Sequence, residues 1–550
     1  MSTAIYFQPE GYSTSGPKLM GRNAAGESFL RGHAKFSTQE SFVAVTRNKE
    51  AARPFIKAVR SQQPDASIRI IDQSLLGQKD PPDTIFYPGP GLSPHSFQRS
   101  KFGNGCWSLC GIAHTTSSDL AMDALVGLLN SPVQPWDAVI CPSKAVKANI
   151  ENVLNAQMGF LRDSLGASQF TLPQLPVIPL GIHAQDFVHT PEDRSNARVR
   201  LGVADDEVVV GYMGRLSFHA KAHPVSMYRS LELAAERTKK KIVVLECGWH
   251  GNELIKRAFE EAQSVISPSI RYIYLDGRES KNRDIMWAST DIFCSFSDNI
   301  QETFGITPLE AMAAGIPVVV SDWDGYKESV EDGEQGFKVP TVSAESGHGE
   351  EFARNFGLSL ETYDRYCGNT CMFVAVDVQH ASEKFISLIN SKELRQELGL
   401  KGKKRAESVY DWRVIIPQYE ELWSELSLIR KKEAKIESKK TISWPARLDP
   451  FSSFAHYSSD VLTSDTLLSL VEDNLESSMH RIRTYKSLKV FDFAAKVLPS
   501  EEEINTLLLQ LEGQDRKASE VVENIEPTRK EFCMRALNWL LKTDVIRIVK

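Results

Sequence analysis

Residues 302–322, ETFGITPLEAMAAGIPVVVSD, place a loop, a helix and a buried strand in immediate succession. Residues 305–314 favour a helix, with Pro308 tolerated in the first turn and Gly315 positioned to end it. The apolar residues 317–321 then predict a strand that is buried inside a sheet. A loop, a helix and a strand in this order indicate an α/β domain.

Similar units precede this block along the chain. Short β-rich runs are followed by segments with helical character, and such alternation is typical of mostly parallel, doubly wound sheets. The polar stretch PEDRSNARVRLGVADDE divides the runs into two groups. The sequence therefore predicts two Rossmann-like lobes, residues 1–190 and 205–400, that face a cleft. The predicted strands are 4–7, 42–46, 68–71, 84–87, 107–112, 138–141 and 177–180 in the first lobe, and 208–213, 241–246, 271–275, 292–296 and 317–321 in the second.

The remaining segments predict an insertion, a long helix and a third unit. Residues 341–375 mix Gly, Ser and aromatic side chains, which indicates a long irregular insertion that could act as a lid. Apolar spacing at 411–429 predicts a long amphipathic helix with a kink at Pro417. A charged connector, 431–445, leads to a small helical or winged-helix-like module, 446–550, whose final IRIV predicts a short strand.

The composition excludes several classes of protein. Of the 550 residues, 42% are hydrophobic and 25% charged, as in globular proteins, and the net charge of −7 gives no overall electrostatic case for binding nucleic acid. The sequence shows neither an apolar run that would span a bilayer nor a signal peptide at its start, so we expect a cytoplasmic protein, with peripheral membrane contact open through the basic connector. The eight cysteines are expected to stay reduced, and the spacing of Cys106/Cys110 and Cys367/Cys371 is not that of a common zinc site.

Two carboxylates flank the start of the helix in the opening block. The unsatisfied N–H groups and the positive dipole end at Gly305 form a site for a diphosphate. Glu310, roughly 7 to 8 Å along the helix, suits a ribose diol, because one carboxylate accepts two hydroxyl hydrogen bonds. Glu302, in the preceding loop, can reach the group on the other side of the phosphates. Either glutamate alone would be read as a solvated surface residue; together they favour a binding site.

Two cations follow a predicted strand of the second lobe in GYMGRLSFHAKAHP. Gly214 ends the strand at 208–213, and Arg215 and Lys221 come next, where ligands gather in open α/β sheets. Fixed cations there could neutralise the charge on a departing diphosphate in place of a metal ion. An Arg and a Lys after a strand are also commonly surface residues, so this pair is weaker evidence than the carboxylates.

The first lobe offers two looser candidates. Gly16, Gly21 and Gly26 lie between the first strand and the next helix, where small residues let the backbone approach a sugar phosphate. His114 ends the strand 107–112 at a carboxyl edge, although a single histidine is often structural.

Several motifs together resemble the GT-B-fold glycosyltransferases of family 4, the glycosyl transferases group 1. The resemblance covers about residues 1–430. It implies a nucleoside diphosphate sugar as donor, held mainly by the second lobe, and transfer to an acceptor on the first lobe with retention of anomeric configuration. It also implies that the helix in 405–430 crosses back onto the first lobe. The matching segments are GRLSFHAKAHP, ETFGITPLE with AMAAGIPVVVSDWDGYKESVEDGEQGF, DAVICPSKAV, VIPLGIHAQDF and YDW.

The resemblance also implies a role for each candidate residue. No metal or other cofactor is expected, and the expected partners are the nucleotide sugar, a glycan, lipid-linked or other acceptor, and a protein or second copy bound through 446–550. Glu310 would hold the donor ribose, and Arg215 and Lys221 would hold the diphosphate. Glu302, with the amides of Thr303, Phe304 and Gly305, would bind the sugar hydroxyls and phosphate. The donor would also contact Gly214, Gly21 and Gly26, and the transferred sugar would contact His114.

Three alternatives remain open at this stage. Asp322, Trp323 and Asp324 form a DxD, which binds Mn²⁺ or Mg²⁺ in another glycosyltransferase fold. A phosphorylase or sugar synthase acting on a free sugar would share the fold and the phosphate residues. A non-catalytic scaffold could present residues 446–550 to a partner, although paired carboxylates and cations argue against a degenerate site.

Overall fold

The computed structural model describes residues 2–13, 21–78, 80–434, 443–472 and 474–549. The chain divides into two compact units, Met1–Ser443 and Trp444–Lys550. The larger unit contains two six-stranded parallel sheets with helices around them, which confirms the predicted α/β class and the two Rossmann-like lobes. Of the helices in the described ranges, none is both long and apolar enough to cross a bilayer.

The first lobe is built on six parallel strands. These are β1 Thr3–Tyr6, β2 Ser41–Thr46, β3 Ser67–Asp72, β4 Thr84–Phe86, β5 Ser108–Ile112 and β6 Ala138–Ile140, and the helices are α1 Gly21–Phe36, α2 Lys49–Gln62, α3 Ser93–Ser100, α4 Asp119–Val126 and α5 Lys144–Leu165. The strand order is β3-β2-β1-β4-β5-β6. Strands β1, β4 and β5 are buried on both faces, and their sequences are accordingly mostly apolar, without alternation of apolar and polar residues.

The predicted strand at 177–180 was wrong. Val177 makes only an isolated bridge to Cys141, at the edge of the sheet beyond β6. Pro173, Pro176 and Pro179 alternate with the apolar residues of this segment, and a proline has no N–H to donate to a ladder. The apolar residues therefore pack on the lobe without forming a seventh strand.

The second lobe repeats the design after helix α6 Pro191–Leu201. Its strand order is β12-β11-β10-β7-β8-β9. From the parallel neighbours β10 and β7, successive strands are added outward in opposite directions, so the loops after these two strands lie next to each other. Such a reversal is where open α/β sheets bind ligands. The strands are β7 Val208–Leu216, β8 Ile242–His250, β9 Arg271–Asp276, β10 Ile292–Ser295, β11 Val318–Ser321 and β12 Gly336–Val339, and the helices α7 Val225–Thr238, α8 Glu253–Ile266, α9 Ser280–Ser289, α10 Ile306–Ala313 and α11 Tyr326–Ser329.

The insertion at 341–375 is regular, contrary to the sequence-based expectation. It forms β13 Thr341–Ser343, α12 Glu350–Gly357, α13 Tyr363–Cys371 and β14 Val374–Val376, and β13 pairs with β14 in antiparallel fashion. The aromatic residues of the two helices pack mainly on one another, as in the stacked rings of Phe356 and Tyr366. Each helix is only eight or nine residues long, so neither shows a sustained apolar period.

Three helices carry the chain from the second lobe to the first. Helices α14 Val378–Asn390 and α15 Lys392–Arg405 lead through a π-helical turn, Ala406–Tyr410, to α16 Trp412–Glu433, which continues through Pro417. Helix α16 lies on the first lobe, where Tyr419 and Trp423 pack on Phe29 and Phe86. Trp412 is fully buried between Gly32 of α1 and Gly181. Residues 412–433 thus complete the core of the first lobe.

We expect Gly32→Ala to destabilise the larger unit by about 1 to 3 kcal/mol, the usual cost of overpacking a core. A Cβ at Gly32 would lie 2.6 Å from the indole of Trp412. Gly159→Ala, in helix α5, is the matched control, because nothing lies within 4 Å of the added carbon. That change should stabilise by about 0.5 to 1 kcal/mol through helix propensity. Chemical denaturation measures both, and equal effects at the two sites would contradict the packing described here.

The smaller unit is mainly helical, as expected, and contains a three-stranded antiparallel sheet in the order β16-β15-β17. The predicted terminal strand is confirmed as β17 Ile546–Ile548. Its elements are α17 Pro450–Ser453, β15 Leu467–Leu470, α18 Leu475–Lys486, α19 Lys489–Asp492, α20 Glu501–Leu509, β16 Arg516–Lys517, α21 Ala518–Val521, α22 Lys530–Lys542 and β17.

Candidate active site

The loop after β10 and the start of α10 form the centre of the candidate site. Gly305 precedes the helix with φ of +80°, a conformation that residues with a side chain rarely adopt. A Cβ at this position would also lie 1.7 Å from the ring of Tyr326, so only glycine fits. The turn brings Glu302 and Thr303 beside the first N–H groups of the helix, which have no partner within it.

Glu302 and Lys221 form an ion pair in which Nζ lies 2.5 Å from Oε2. Burial by itself would raise the pKa of Glu302. The charge and hydrogen bond of Lys221, with the amides of Thr303 and Phe304, outweigh burial and hold that pKa below its ordinary value. Gly214 borders the pair, since a Cβ there would lie 3.7 Å from Cε of Lys221. The site therefore holds one carboxylate and one cation in fixed positions beside α10.

Arg215 lies inside strand β7, not after it as predicted, and pairs with Trp249 of β8. The strand is three residues longer than its apolar run because its polar end is held by β8. Nη2 of Arg215 donates to Oε1 of Gln301 at 2.6 Å and to the carbonyl oxygen of Ala220 at 3.0 Å. Both bonds use one terminal nitrogen and aim the guanidinium at the loop that carries Glu302.

Glu310 lies on α10 in the second lobe and is half-buried. Burial raises its pKa to about 7, and the charge of Arg283 only partly opposes this shift. The same carboxyl group lies close enough to Cys247, in β8, to influence the thiol. Glu310 therefore lies near Cys247 of β8 and Arg283 of α9, on the helix that follows the loop of Glu302.

The first lobe contributes His114, whose carbonyl oxygen accepts a hydrogen bond from Oγ1 of Thr303 at 3.2 Å. His114 and Gly26 also line a small, largely aromatic cavity with Tyr12 and Trp412. Both residues thus lie at the side of the first lobe that meets the loop of Glu302.

The glycine-rich segment differs from the expectation of a loop. Gly21 begins α1 and has open space around it, whereas Gly26 lies inside the helix. A Cβ at Gly26 would lie 2.1 Å from the carbonyl oxygen of Gly11, so its small size serves the packing of α1 against the preceding turn. Gly16 lies outside the described residues.

Phe304 and the DxD segment take positions that the sequence did not specify. The ring of Phe304 is buried in the core near Tyr410, so only its backbone can face a ligand. Asp322 pairs with Lys338 at 3.5 Å, while Oδ1 of Asp324 lies 2.9 Å from Oγ of Ser143. The two carboxylates therefore have different partners. No group of three or more metal-ligating side chains is present within the described ranges.

Contacts between the lobes were not predicted. Oγ of Ser143 caps α5 and also lies 3.0 Å from the carbonyl oxygen of Thr303. The amide of Lys144 donates to Oε1 of Glu328 at 2.6 Å. Burial and the nearby charge of Glu302 raise the pKa of Asp324 to about 7. The only sequence signal for this contact is the Ser-Lys pair after strand β6, which reads as an ordinary helix cap.

Part of the second lobe is similar in sequence to a known protein family. Residues 193–348 match the model of the family described as "Glycosyl transferases group 1". D-inositol 3-phosphate glycosyltransferase of Corynebacterium jeikeium is 30% identical over 213 residues, 38% of this chain and 49% of that protein. The enzyme of the same name from Nocardia farcinica is 28% identical over 168 residues, 30% of this chain and 36% of that protein. The chain thus spans half or less of the length of these relatives.

Among solved structures, Anabaena Alr3699/HepE in complex with UDP and glucose covers 77% of this chain and all of its own, with 15% identity and a TM-score of 0.49. At this level of similarity the structure does not identify a ligand. The segment that matches the family model contains Arg215, Lys221, Glu302 and Glu310. Residues 193–348 of this chain are thus similar to the glycosyl transferases group 1 family.

Proposed function

We propose that the chain transfers a sugar from a nucleoside diphosphate sugar to a hydroxyl group of an acceptor, with retention of anomeric configuration. One observation carries the proposal: Arg215, the Lys221–Glu302 pair and Glu310 all lie around helix α10 at the strand-order reversal of the second lobe. A diphosphate needs several donors in one place, and Arg215, Lys221 and the start of α10 provide them.

The charges suit departure of the diphosphate. As the bond between the anomeric carbon and the diphosphate oxygen breaks, its electron pair leaves with the nucleoside diphosphate. Arg215 and Lys221 would meet this growing charge without further reorganisation, because Gln301 and Glu302 already hold them in place. Glu302 keeps Lys221 oriented and presents a second oxygen to the hydroxyls of the sugar.

The acceptor side belongs to the first lobe in this proposal. His114 lies where Thr303 meets the first lobe, so an acceptor hydroxyl there would face the sugar on the second lobe. A bond forms between that oxygen and the anomeric carbon, and the hydroxyl proton passes to the departing diphosphate oxygen. The family match covers the second lobe, so it supports the donor more than any particular acceptor.

A thermal-shift and calorimetric screen of UDP, GDP, ADP and dTDP tests the proposal, because a ligand that binds the folded chain raises its stability. At least one should bind, and the corresponding nucleotide sugar should be consumed in the presence of acceptor. If none binds, the proposal is wrong. Product analysis with inorganic phosphate separates transfer from phosphorolysis.

We expect the transferase activity to survive chelation by EDTA. Arg215, Lys221 and the amino end of α10 supply the positive field that a divalent ion would otherwise provide. Initial rates with and without the chelator, and after addition of Mn²⁺, measure the effect. Loss of activity that Mn²⁺ restores would instead implicate Asp322 and Asp324, and Asp324→Asn would then lower the affinity for the metal.

A further inference from the structure

Residues 341–376 form an excursion from the second lobe that we call the arm: β13, α12, α13 and β14. The chain leaves the sheet after Pro340 and returns at Asp377, whose amide donates to the carbonyl oxygen of Pro340 at 3.0 Å. Thr341 pairs with Val376 at this neck. The ends of the arm are thus fixed to one another, and its two helices pack together between them.

Tyr363, the first residue of α13, connects the arm to both lobes. Its hydroxyl lies 2.8 Å from Oγ of Ser117 in the first lobe and accepts from Nε2 of Gln301 at 3.2 Å. The amide oxygen of Gln301 accepts from Arg215 in turn. These contacts form an unbroken chain from the first lobe to the guanidinium of Arg215.

The direction of two hydrogen bonds in this network follows from chemistry. Arg215 can only donate, so the amide oxygen of Gln301 faces it and the amide nitrogen donates to the phenol oxygen of Tyr363. Between Tyr363 and Ser117 either hydroxyl can be the donor. Burial raises the pKa of Tyr363, so this hydroxyl keeps its proton. Bonds aligned in one direction polarise each other and strengthen the set.

The arm also contacts the loop that carries Lys221. Gly368 of α13 packs on His219, where an added Cβ would lie 2.9 Å from the Cβ of His219. Sγ of Cys371 lies 3.5 Å from the carbonyl oxygen of Phe218. The arm therefore contacts both cation-bearing segments, one through Tyr363 and Gln301 and the other through α13.

We propose that Tyr363 is a positioning residue for Arg215. Through Gln301, it couples the orientation of the guanidinium to the contact between Tyr363 and Ser117 of the first lobe. This inference rests on the proposed function, in which Arg215 binds a nucleoside diphosphate. Contact of the first lobe with Tyr363 thus supports the hydrogen bond by which Gln301 holds the cation, beside the bond from Arg215 to Ala220. Donor binding thereby depends on the lobe that would hold the acceptor.

Tyr363→Phe in the full chain tests the proposal, with Tyr366→Phe as a matched control. Tyr366 lies one turn further along α13 and packs its ring on Phe356, with centroids 4.5 Å apart. We expect Tyr363→Phe to weaken binding of the nucleotide that the screen of UDP, GDP, ADP and dTDP identifies by about 3- to 10-fold, the scale of one hydrogen bond. Tyr366→Phe should leave that binding unchanged. Ser117→Ala, at the other end of the chain of bonds, should act in the same direction.

Two further measurements distinguish positioning from general structural support. In an Arg215→Ala background, Tyr363→Phe should cause no additional loss, because it acts through the missing guanidinium. In the ligand-free chain, amide hydrogen exchange at 113–118 and 299–303 should be faster with Tyr363→Phe than with Tyr366→Phe. Additive losses, or equal exchange in the two variants, would overturn the proposal. If the wild-type chain binds none of the four nucleotides, the proposed function fails, and the exchange comparison still decides whether Tyr363 joins the lobes.

Discussion

Lys221→Ala and Arg215→Ala are each expected to lower kcat by about 10² to 10³-fold, the effect of removing one preorganised stabiliser of developing charge. In the proposed reaction the diphosphate gains charge as the glycosidic bond breaks, so these cations would bind the transition state more strongly than the ground state. Steady-state kinetics with the donor identified by nucleotide binding measure the effect. The double variant should lose less than the product of the two single losses if both cations contact one cluster of phosphate oxygens.

The ion pair provides a control for Lys221→Ala. Removing the lysine leaves the buried carboxylate of Glu302 without its cation, which is expected to cost about 1 to 3 kcal/mol of folding stability. Lys221→Met with Glu302→Gln removes both charges and should recover most of that stability without recovering kcat. Effects confined to KM would show that the cations only bind the donor. Unchanged kcat and KM would show that neither cation belongs to the site.

Glu310→Gln is expected to raise KM for the donor about 10- to 100-fold, with a smaller effect on kcat. The ribose is held similarly in the ground and transition states, so its hydrogen bonds contribute uniform binding. One or two bonds to a charged acceptor, at about 1.5 to 3 kcal/mol each, set this scale. The 2′-deoxy form of the bound nucleotide is the matched probe: wild type should discriminate against it, and Glu310→Gln should not.

The pH dependence supplies an independent check on Glu310. Burial raises its pKa in the free chain to about 7, so the carboxylate that accepts ribose hydroxyls predominates only above that pH. Nucleotide affinity should therefore rise between about pH 6 and 8 in wild type and stay flatter in Glu310→Gln. Stability of the free chain changes in the opposite sense, because ionising a buried carboxyl with a raised pKa costs stability as pH rises. Asp324 also titrates near pH 7, so only the difference between the two proteins assigns the transition.

Features that depend on neighbouring residues could be predicted from the sequence. The turn at Gly305, helix α10 and strand β11 follow from residues within one short block, and both sheets follow from repeated apolar runs. The same reasoning produced a false strand at 177–180, because apolar content was weighed without the missing N–H groups of the prolines. It also ended β7 too early, since pairing with β8 holds Arg215 in the strand.

Contacts between distant residues could not be predicted. Ser117 and Tyr363 are 246 positions apart and Arg215 and Gln301 are 86 apart, and neither pair has a local pattern. The pairing of Lys221 with Glu302 was missed for the same reason, although both residues were candidates. Gln301 stands directly before Glu302, but a glutamine in a loop carries no signal until the fold places an arginine next to it.

The completion of the first lobe by α16 has a consequence for synthesis of the chain. The aromatic face formed by Phe29 and Phe86 leaves the ribosome early, whereas Tyr419 and Trp423 follow only after the whole second lobe. At about 5 to 20 residues per second, that interval is on the order of tens of seconds. A nascent chain with an uncovered aromatic face is prone to aggregation, so we expect the yield of soluble protein to depend on chaperones during translation and to fall sharply when the chain is truncated before residue 412.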